Sequence, residues 1–512
     1  MGLTFWLVLA PFVAALLILI LPKLGAAGYR TIGLIGSAVS LVLVVLTWAR
    51  FSYDISGFQQ VSSLHWFTFP GMWNGHGLSI GLSFGVDGLS LPLVTLAAFV
   101  SLLAMIGAKR GQERAREYYL WLSLVTTGIL AVFSALDLFT FFVALEVTLF
   151  STFFLIYVFG QPGRQRAAIK FLLYRGLATV ALLVAFIGIA YGAAGAFAST
   201  GAGASTAVLT FDIPSLITAM HAATPALFTT GARDAFFLVL LLAVFIEEAF
   251  VPFHTWLPTA HEFADTPTSM LLGGVLTKSG AYILLRFGVG MMPGQVRTYG
   301  TLIAIFGVIN ILYGAFAAWA QKDWRRLIAF GSISHMGLVL LGIAALNAAG
   351  LQGAMFMIVS SGLLTAMMFF LVGAISVRTK TSLIPALGGL SRPMPMLSGF
   401  LLVGALGSLG LPLTSGFISE IQAFIGGFDT YPTITFVGVI GVILSAVYLL
   451  YAMEKTTFGP VQQKYGQLAD ATPREYVPTV VLTALILIIG IYPRVVGDLF
   501  GLSIHALMGI GG

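Results

Sequence analysis

Five ionisable side chains sit inside apolar runs long enough to cross a membrane: Glu146, Glu247, Glu248, Lys278 and Glu420. Glu146, for instance, lies within LFTFFVALEVTLFSTFFLIYVFG. A charge at the bilayer centre costs at least roughly 2.5–3.5 kcal/mol, so a series of such residues points to a route for protons or ions. Burial disfavours the charged form of acids and amines alike, which brings such groups toward titration near neutrality. A charge moved next to one of them loads or unloads its proton, and coupled groups titrate as a set. This chemistry needs no covalent nucleophile and no metal.

Composition sets the class of element that must hold these groups. Of 512 residues, 58% are hydrophobic and 9% charged, against roughly 25% charged in a soluble protein. The chain therefore reads as an all-α, multi-pass membrane protein. Cysteine is absent, which excludes disulfides, thiolate metal sites, thiolate-held iron–sulfur clusters and a Cys nucleophile. The formal charge of +6 resides in short loops between apolar runs, a topology signal rather than a nucleic-acid surface. The Gly-rich stretch 192–205 lacks the strand–turn–helix context and the lysine of a phosphate loop and reads as a linker. The sequence offers no redox centre and no cofactor site of its own.

About 20 apolar residues cross the hydrocarbon core as a helix. Fourteen such spans are counted: 3–22, 30–50, 87–108, 117–135, 137–160, 167–194, 235–257, 268–290, 299–319, 326–346, 349–377, 394–424, 431–453 and 476–497. The first has no basic leader and no small-residue cleavage site and is read as a retained helix. Eighteen of the 25 Lys and Arg residues fall in or at the edges of the loops after odd-numbered spans, five at the other side, and Arg175 and Lys278 well inside spans. The positive-inside rule thus supports fourteen and places both termini outside. The long polar stretches 51–86 and 195–233 fall on the outer side.

Spans seven and twelve look broken. Span seven contains EEAFVPFHTWLP, with Pro252 and Pro258 around His254, and span twelve contains GLPLTSGFISE, ending at Glu420. Proline removes a donor and clashes with the preceding turn, and glycine weakens the helix further. Either break alone can be a packing kink. A pair of them in the two halves of a transporter-like chain, each beside an ionisable residue, points to the ion site.

The segment FVPFHTWLPTAHEFADTPTSMLLGGVLTKSGAYILLRF (250–287) resembles the signature of the antiporter-like subunits of respiratory complex I, most of all the subunit M type of NADH–quinone oxidoreductase, within the wider Mrp-antiporter superfamily. SFGVDGLSLPL (83–93), KDWRRLIAFGSISHMG (322–337), LPLTSGFISE (411–420) and IGIYPRVVGD (489–498) match in order. The resemblance implies fourteen helices with two inverted five-helix repeats and broken helices 7 and 12. Helices 1–3 fall at 1–116, the repeats at 117–290 and 299–458, and helix 14 at 476–512. It implies a proton-translocating membrane-arm subunit, itself without redox chemistry, of an NADH–quinone oxidoreductase in an energy-converting membrane, with L- and N-type antiporter-like subunits as partners. The alternative is the homologous subunit of a group 4 membrane hydrogenase, a photosynthetic NDH-1 variant or a multisubunit cation/proton antiporter. The end of the chain soon after span fourteen, with no long lateral helix, favours a middle position in the arm.

By the same resemblance, Glu146 matches the span-five glutamate, Lys278 the central span-eight lysine and Glu420 the span-twelve glutamate of the M type. His254 and His335 sit in matching motifs and can bridge between charges, histidine being the side chain best suited to relay at neutral pH. His261 falls near the inner surface, at an entry point or in solvent. The departures are specific. Where the family has a span-seven lysine, seven residues before His254, this chain has Glu247. Glu248 lies about 100° further round a helix and reads as peripheral. Arg175, in FLLYRGLATV, stands where the family has a small polar residue and is the expected source of the missing positive charge; a Na⁺ between Glu146 and Glu247 is the competing expectation. Thr259 replaces an aspartate, 264–269 reads ADTPTS, and Ser361 replaces a histidine common among relatives.

Overall fold

The computed structural model describes residues 2–73, 76–109, 111–199, 209–221 and 229–507. Arg110 of the inner-loop charges and residues 200–205 of the Gly-rich stretch lie outside the described residues.

Lipid offers no partner to a backbone N–H or C=O, so the apolar runs close their hydrogen bonds as helices. In chain order these are α1 (Leu3–Ile20), α2 (Ala26–Ala49), α3 (Ser90–Gly107), α4 (Ala115–Ser134), α5 (Leu138–Phe159), α6 (Arg164–Ser199) and α7 (Ile213–His221). There follow α8 (Thr230–Glu247), α9 (Trp256–Phe263), α10 (Thr266–Gly274), α11 (Ser279–Ile283), α12 (Pro293–Thr298), α13 (Gly300–Trp319) and α14 (Trp324–Ala345). The last six are α15 (Ala348–Thr379), α16 (Pro395–Ser408), α17 (Ser415–Thr430), α18 (Pro432–Thr457), α19 (Pro473–Ile491) and α20 (Arg494–Leu507). Among the described residues, twelve helical segments are long and apolar enough to cross a membrane. The other two of the fourteen spans are each built from two pieces, α8 with α9 and α16 with α17. The first part of the Gly-rich stretch, to Ser199, is the end of α6 rather than a linker.

Both expected breaks close alike. At the end of α8, Phe250 N–H donates to the Phe245 carbonyl (2.8 Å) and Ala249 has φ +60°. At the end of α16, Leu411 N–H donates to the Leu406 carbonyl (3.0 Å) and Gly410 has φ +75°. Each is a left-handed helix cap, which turns the chain out of the helix while satisfying its last carbonyls. Span eight is interrupted as well, which the sequence reading missed. α10 gives way to a 3₁₀ turn at Leu276–Lys278, then α11, then a π-helical stretch Leu284–Val289. Gly273, Gly274 and Gly280 around Lys278 are the signal for it.

Loop packing fixes which ends share a face. The stretch 51–86, read from sequence as loop, contains an antiparallel hairpin of β1 (Gln59–Trp73) and β2 (His76–Val86), and β3 (Leu209–Thr210) pairs parallel to β2. The loops after spans two and six therefore meet in one sheet, as the charge alternation requires. On the opposite face Ile384 N–H donates to the Lys322 carbonyl (2.8 Å) and Leu390 N–H to the Thr456 carbonyl (3.2 Å), joining the loops after spans nine, eleven and thirteen. Arg378 there grips Glu475 through two 2.7 Å bonds.

The repeats are visible in their caps. Asp137 caps α5 through the N–H groups of Phe139 and Thr140, and Asp323 caps α14 through those of Arg325 and Arg326. Each also bridges to the segment leading toward a broken span, Asp137 to Asp212 and Asp323 to Leu383. One cap lies at the hairpin face and the other at the opposite face, the relation expected of inverted units. At the centre, α14, α15 and the α10–α11 span are enclosed by other helices, whereas α6 turns Leu173, Leu177 and Val184 outward. Arg286, in the π-helical stretch, binds Asp87 ahead of α3 through two 2.7 Å bonds, clamping the outer half of span eight.

Candidate functional site

The site forms where spans six, seven and eight meet. On α6, Phe171, Arg175 and Thr179 recur at helical spacing on the buried face, so the arginine points inward by register. Its Nη2 lies 2.5 Å from Glu247 Oε1, both side chains being almost wholly buried. Its Nη1 donates to the Glu247 carbonyl at 3.3 Å, placing a cation on the negative end of α8. Ser279 Oγ donates to Glu247 Oε1 at 2.9 Å, and the rings of Phe171 and Trp256 flank the guanidinium. A guanidinium does not deprotonate in proteins, so Arg175 is a fixed positive charge and not a carrier.

Glu248 is not peripheral. It is 1% exposed, and its Oε2 accepts the Ala281 N–H at 2.9 Å at the start of α11. Glu248 N–H still donates to the Val244 carbonyl (2.9 Å), so its side chain keeps the helical offset from Glu247, and on that side it meets span eight. Its Oε1 is buried with no hydrogen-bond partner. Lys278, in the 3₁₀ turn, is 0% exposed. Its Nζ lies 3.4 Å from Ser332 Oγ and 3.7 Å from Met336 Sδ on α14. Glu248 is the charged neighbour that Lys278 feels most.

From Lys278 the polar line continues across α14. Ser332 opens onto a cavity of about 20 Å³ whose polar lining is Ser332, His335, Thr365, Ser408 and Tyr448, large enough for one water. His335 Nε2 is 2.9 Å from the Ser408 carbonyl at the end of α16. Tyr448, on α18, is buried and interacts electrostatically with Glu420. Glu420 itself is tucked beside Gly410, where a Cβ would collide with its carboxylate.

Arg175, Glu247, Lys278, His335 and Glu420 thus fall along one buried line, to which the structure adds Glu248, Ser279, Ser332 and Tyr448. The hydroxyls carried no sequence signal of their own. Two sequence candidates stand apart. Glu146 is half-buried on α5, within electrostatic reach of Glu247. His254 faces Tyr313 on α13 (3.0 Å) and the positive charge of Lys170 rather than the axis. His261 is neither solvated nor at the surface: it is 0% exposed and stacked on Phe369, ring centroids 4.2 Å apart. Ser361 is fully buried, and its hydroxyl reaches only the Ile358 carbonyl.

Residues 135–446, more than half of the chain, match the family model described as NADH:quinone oxidoreductase/Mrp antiporter, TM. The chain is 35% identical to NAD(P)H-quinone oxidoreductase chain 4 1 of Synechococcus elongatus over 98% of this chain and 90% of that protein. It is 32% identical to the chloroplastic chain 4 of Mesostigma viride over 98% and 96%. Among solved structures, a chain of respiratory complex I from Thermus thermophilus superposes with a TM-score of 0.84 at 26% identity, covering 99% of this chain and 100% of that one. A chain of the Mrp complex from Dietzia shares the fold at 0.80 and 20% identity, covering 99% and 97%.

Proposed function

Because the chain belongs to the NADH:quinone oxidoreductase/Mrp antiporter family, we propose that it carries protons through the membrane arm of an NAD(P)H–quinone oxidoreductase, alongside other antiporter-like subunits. The observation that carries this reading is the enclosed lysine. Lys278 is wholly buried at a break in span eight, without a directly bonded carboxylate, and is continuous through Ser332 with a small cavity that His335 and Tyr448 also line, Tyr448 lying within electrostatic reach of Glu420. An ammonium so placed is costly unless a proton or a neighbouring charge can move. Proton arrival at one end of the line changes the charge next to the following group, and that shifts its affinity in turn. Redox chemistry in partner subunits supplies the driving force; this chain offers Lys278, Glu420 and His335 as exchange groups.

The pairing at span seven favours protons over Na⁺. Arg175 already supplies the positive charge that a cation between Glu146 and Glu247 would bring. Lys278→Met in the intact complex is expected to lower proton translocation in membrane vesicles at least tenfold while the complex still assembles. Undiminished translocation sinks the proposal, and translocation that requires Na⁺ sinks its proton assignment.

A further inference from the structure

We propose that Glu248 is the proton-exchanging partner of Lys278, while Glu247 is withdrawn from exchange by Arg175. This rests on the reading of the chain as a proton carrier. Three acids lie near the break in span seven. Glu247 is engaged on one oxygen by both Arg175 and Ser279. Glu146 is half-buried on α5, and its charge is felt at Glu247. Glu247 and Glu248 are both fastened to the interrupted span that carries the lysine, Glu247 through the Ser279 hydroxyl and Glu248 through the Ala281 N–H, but Glu248 has no guanidinium bound to it. Each of the two keeps a second oxygen buried and without a hydrogen-bond partner, Oε2 of Glu247 and Oε1 of Glu248, so the guanidinium on Glu247 is what separates them.

Gly280 makes the approach possible, because a Cβ there would lie 2.8 Å from Glu248 Oε2 and 3.0 Å from its Cβ. Between the two halves of span eight, the carboxylate therefore occupies space that any larger residue would fill. Lys278 and Glu248 attract one another more strongly than Lys278 attracts any other charged group. The lysine stem is flexible, so Nζ can swing from Ser332 toward Glu248. A proton then leaves the ammonium for a carboxylate oxygen, giving a neutral amine and a neutral carboxyl; the reverse step restores the ion pair. Both states have zero net charge, so the exchange does not change the charge buried at this point. The span-seven acid of the axis is in this view Glu248, one residue beyond the arginine-bound Glu247.

The test uses vesicles containing the whole complex, driven by NAD(P)H. Glu248→Gln can still accept the Ala281 N–H but cannot ionise; protons moved per electron pair are expected to fall at least fivefold. Glu248→Asp is expected to recover to within twofold of the parent, which a purely packing role would not produce. Wild-type stoichiometry in Glu248→Gln, with Lys278→Met defective, overturns this inference and leaves the broader reading standing. A silent Lys278→Met overturns both. If Glu248→Gln alone fails to assemble, the double variant with Lys278→Met is expected to assemble, since no ammonium is then left without its counter-charge; failure of the double variant overturns the pairing.

Discussion

At the scale of single residues, the site is an exercise in matching buried charges. Replacing a buried ion pair by apolar groups is often neutral, whereas removing one partner costs roughly 3–5 kcal/mol. Arg175 and Glu247 are such a pair. Arg175→Met and Glu247→Gln are each expected to lower the thermal stability of the purified complex strongly, and the double variant by much less than their sum. A double-mutant cycle should give a coupling energy of about 1–3 kcal/mol; a value near zero would mean that the contact carries no energy. The residue types of Glu247 and Arg175 were legible in the sequence, as was their expected compensation. Glu248 was misjudged because its offset from Glu247 was read as leading away from the site, whereas span eight packs against that side as well. The expected solvation of His261 was misjudged because exposure was inferred from loop position, whereas Phe369 of α15 covers it.

At the scale of elements, the three interruptions do the positioning. Each breaks a span beside a charged side chain, and two end in left-handed caps at Ala249 and Gly410. An L-residue in that conformation costs roughly 1–2 kcal/mol, so the two sites predict opposite responses. Ala249→Gly should be neutral or raise stability by up to about 1 kcal/mol. Gly410→Ala combines backbone strain with a collision against Glu420, and a loss of roughly 1–3 kcal/mol with impaired translocation is expected. Denaturation midpoints of the two variants check the sign; equal responses would refute the cap assignment. Proline and glycine announced the breaks in spans seven and twelve. The break at Lys278 was less legible, since Gly273, Gly274 and Gly280 are also what close helix packing selects.

At the scale of the whole molecule, the absence of cysteine makes orientation directly measurable. Ser56→Cys, in the exposed segment ahead of β1, and Gln463→Cys, in the loop after α18, should react with a membrane-impermeant thiol reagent from opposite sides. Labelling of both from one side would refute the fourteen-span topology. That topology follows from sequence alone, because the length needed to cross a bilayer and the bias of Lys and Arg toward one face are properties of local composition. The caps at Asp137 and Asp323, the hairpin and the pairing of loops agree with it. The sequence also determined that acids, an arginine and a lysine lie at membrane depth. Which acid meets which base was decided by tertiary structure. Arg175 and Glu247 are 72 residues apart, and Glu248 reaches Ala281 across 33. Pairing at such separations depends on where three helices stop and how they pack, which no local pattern encodes.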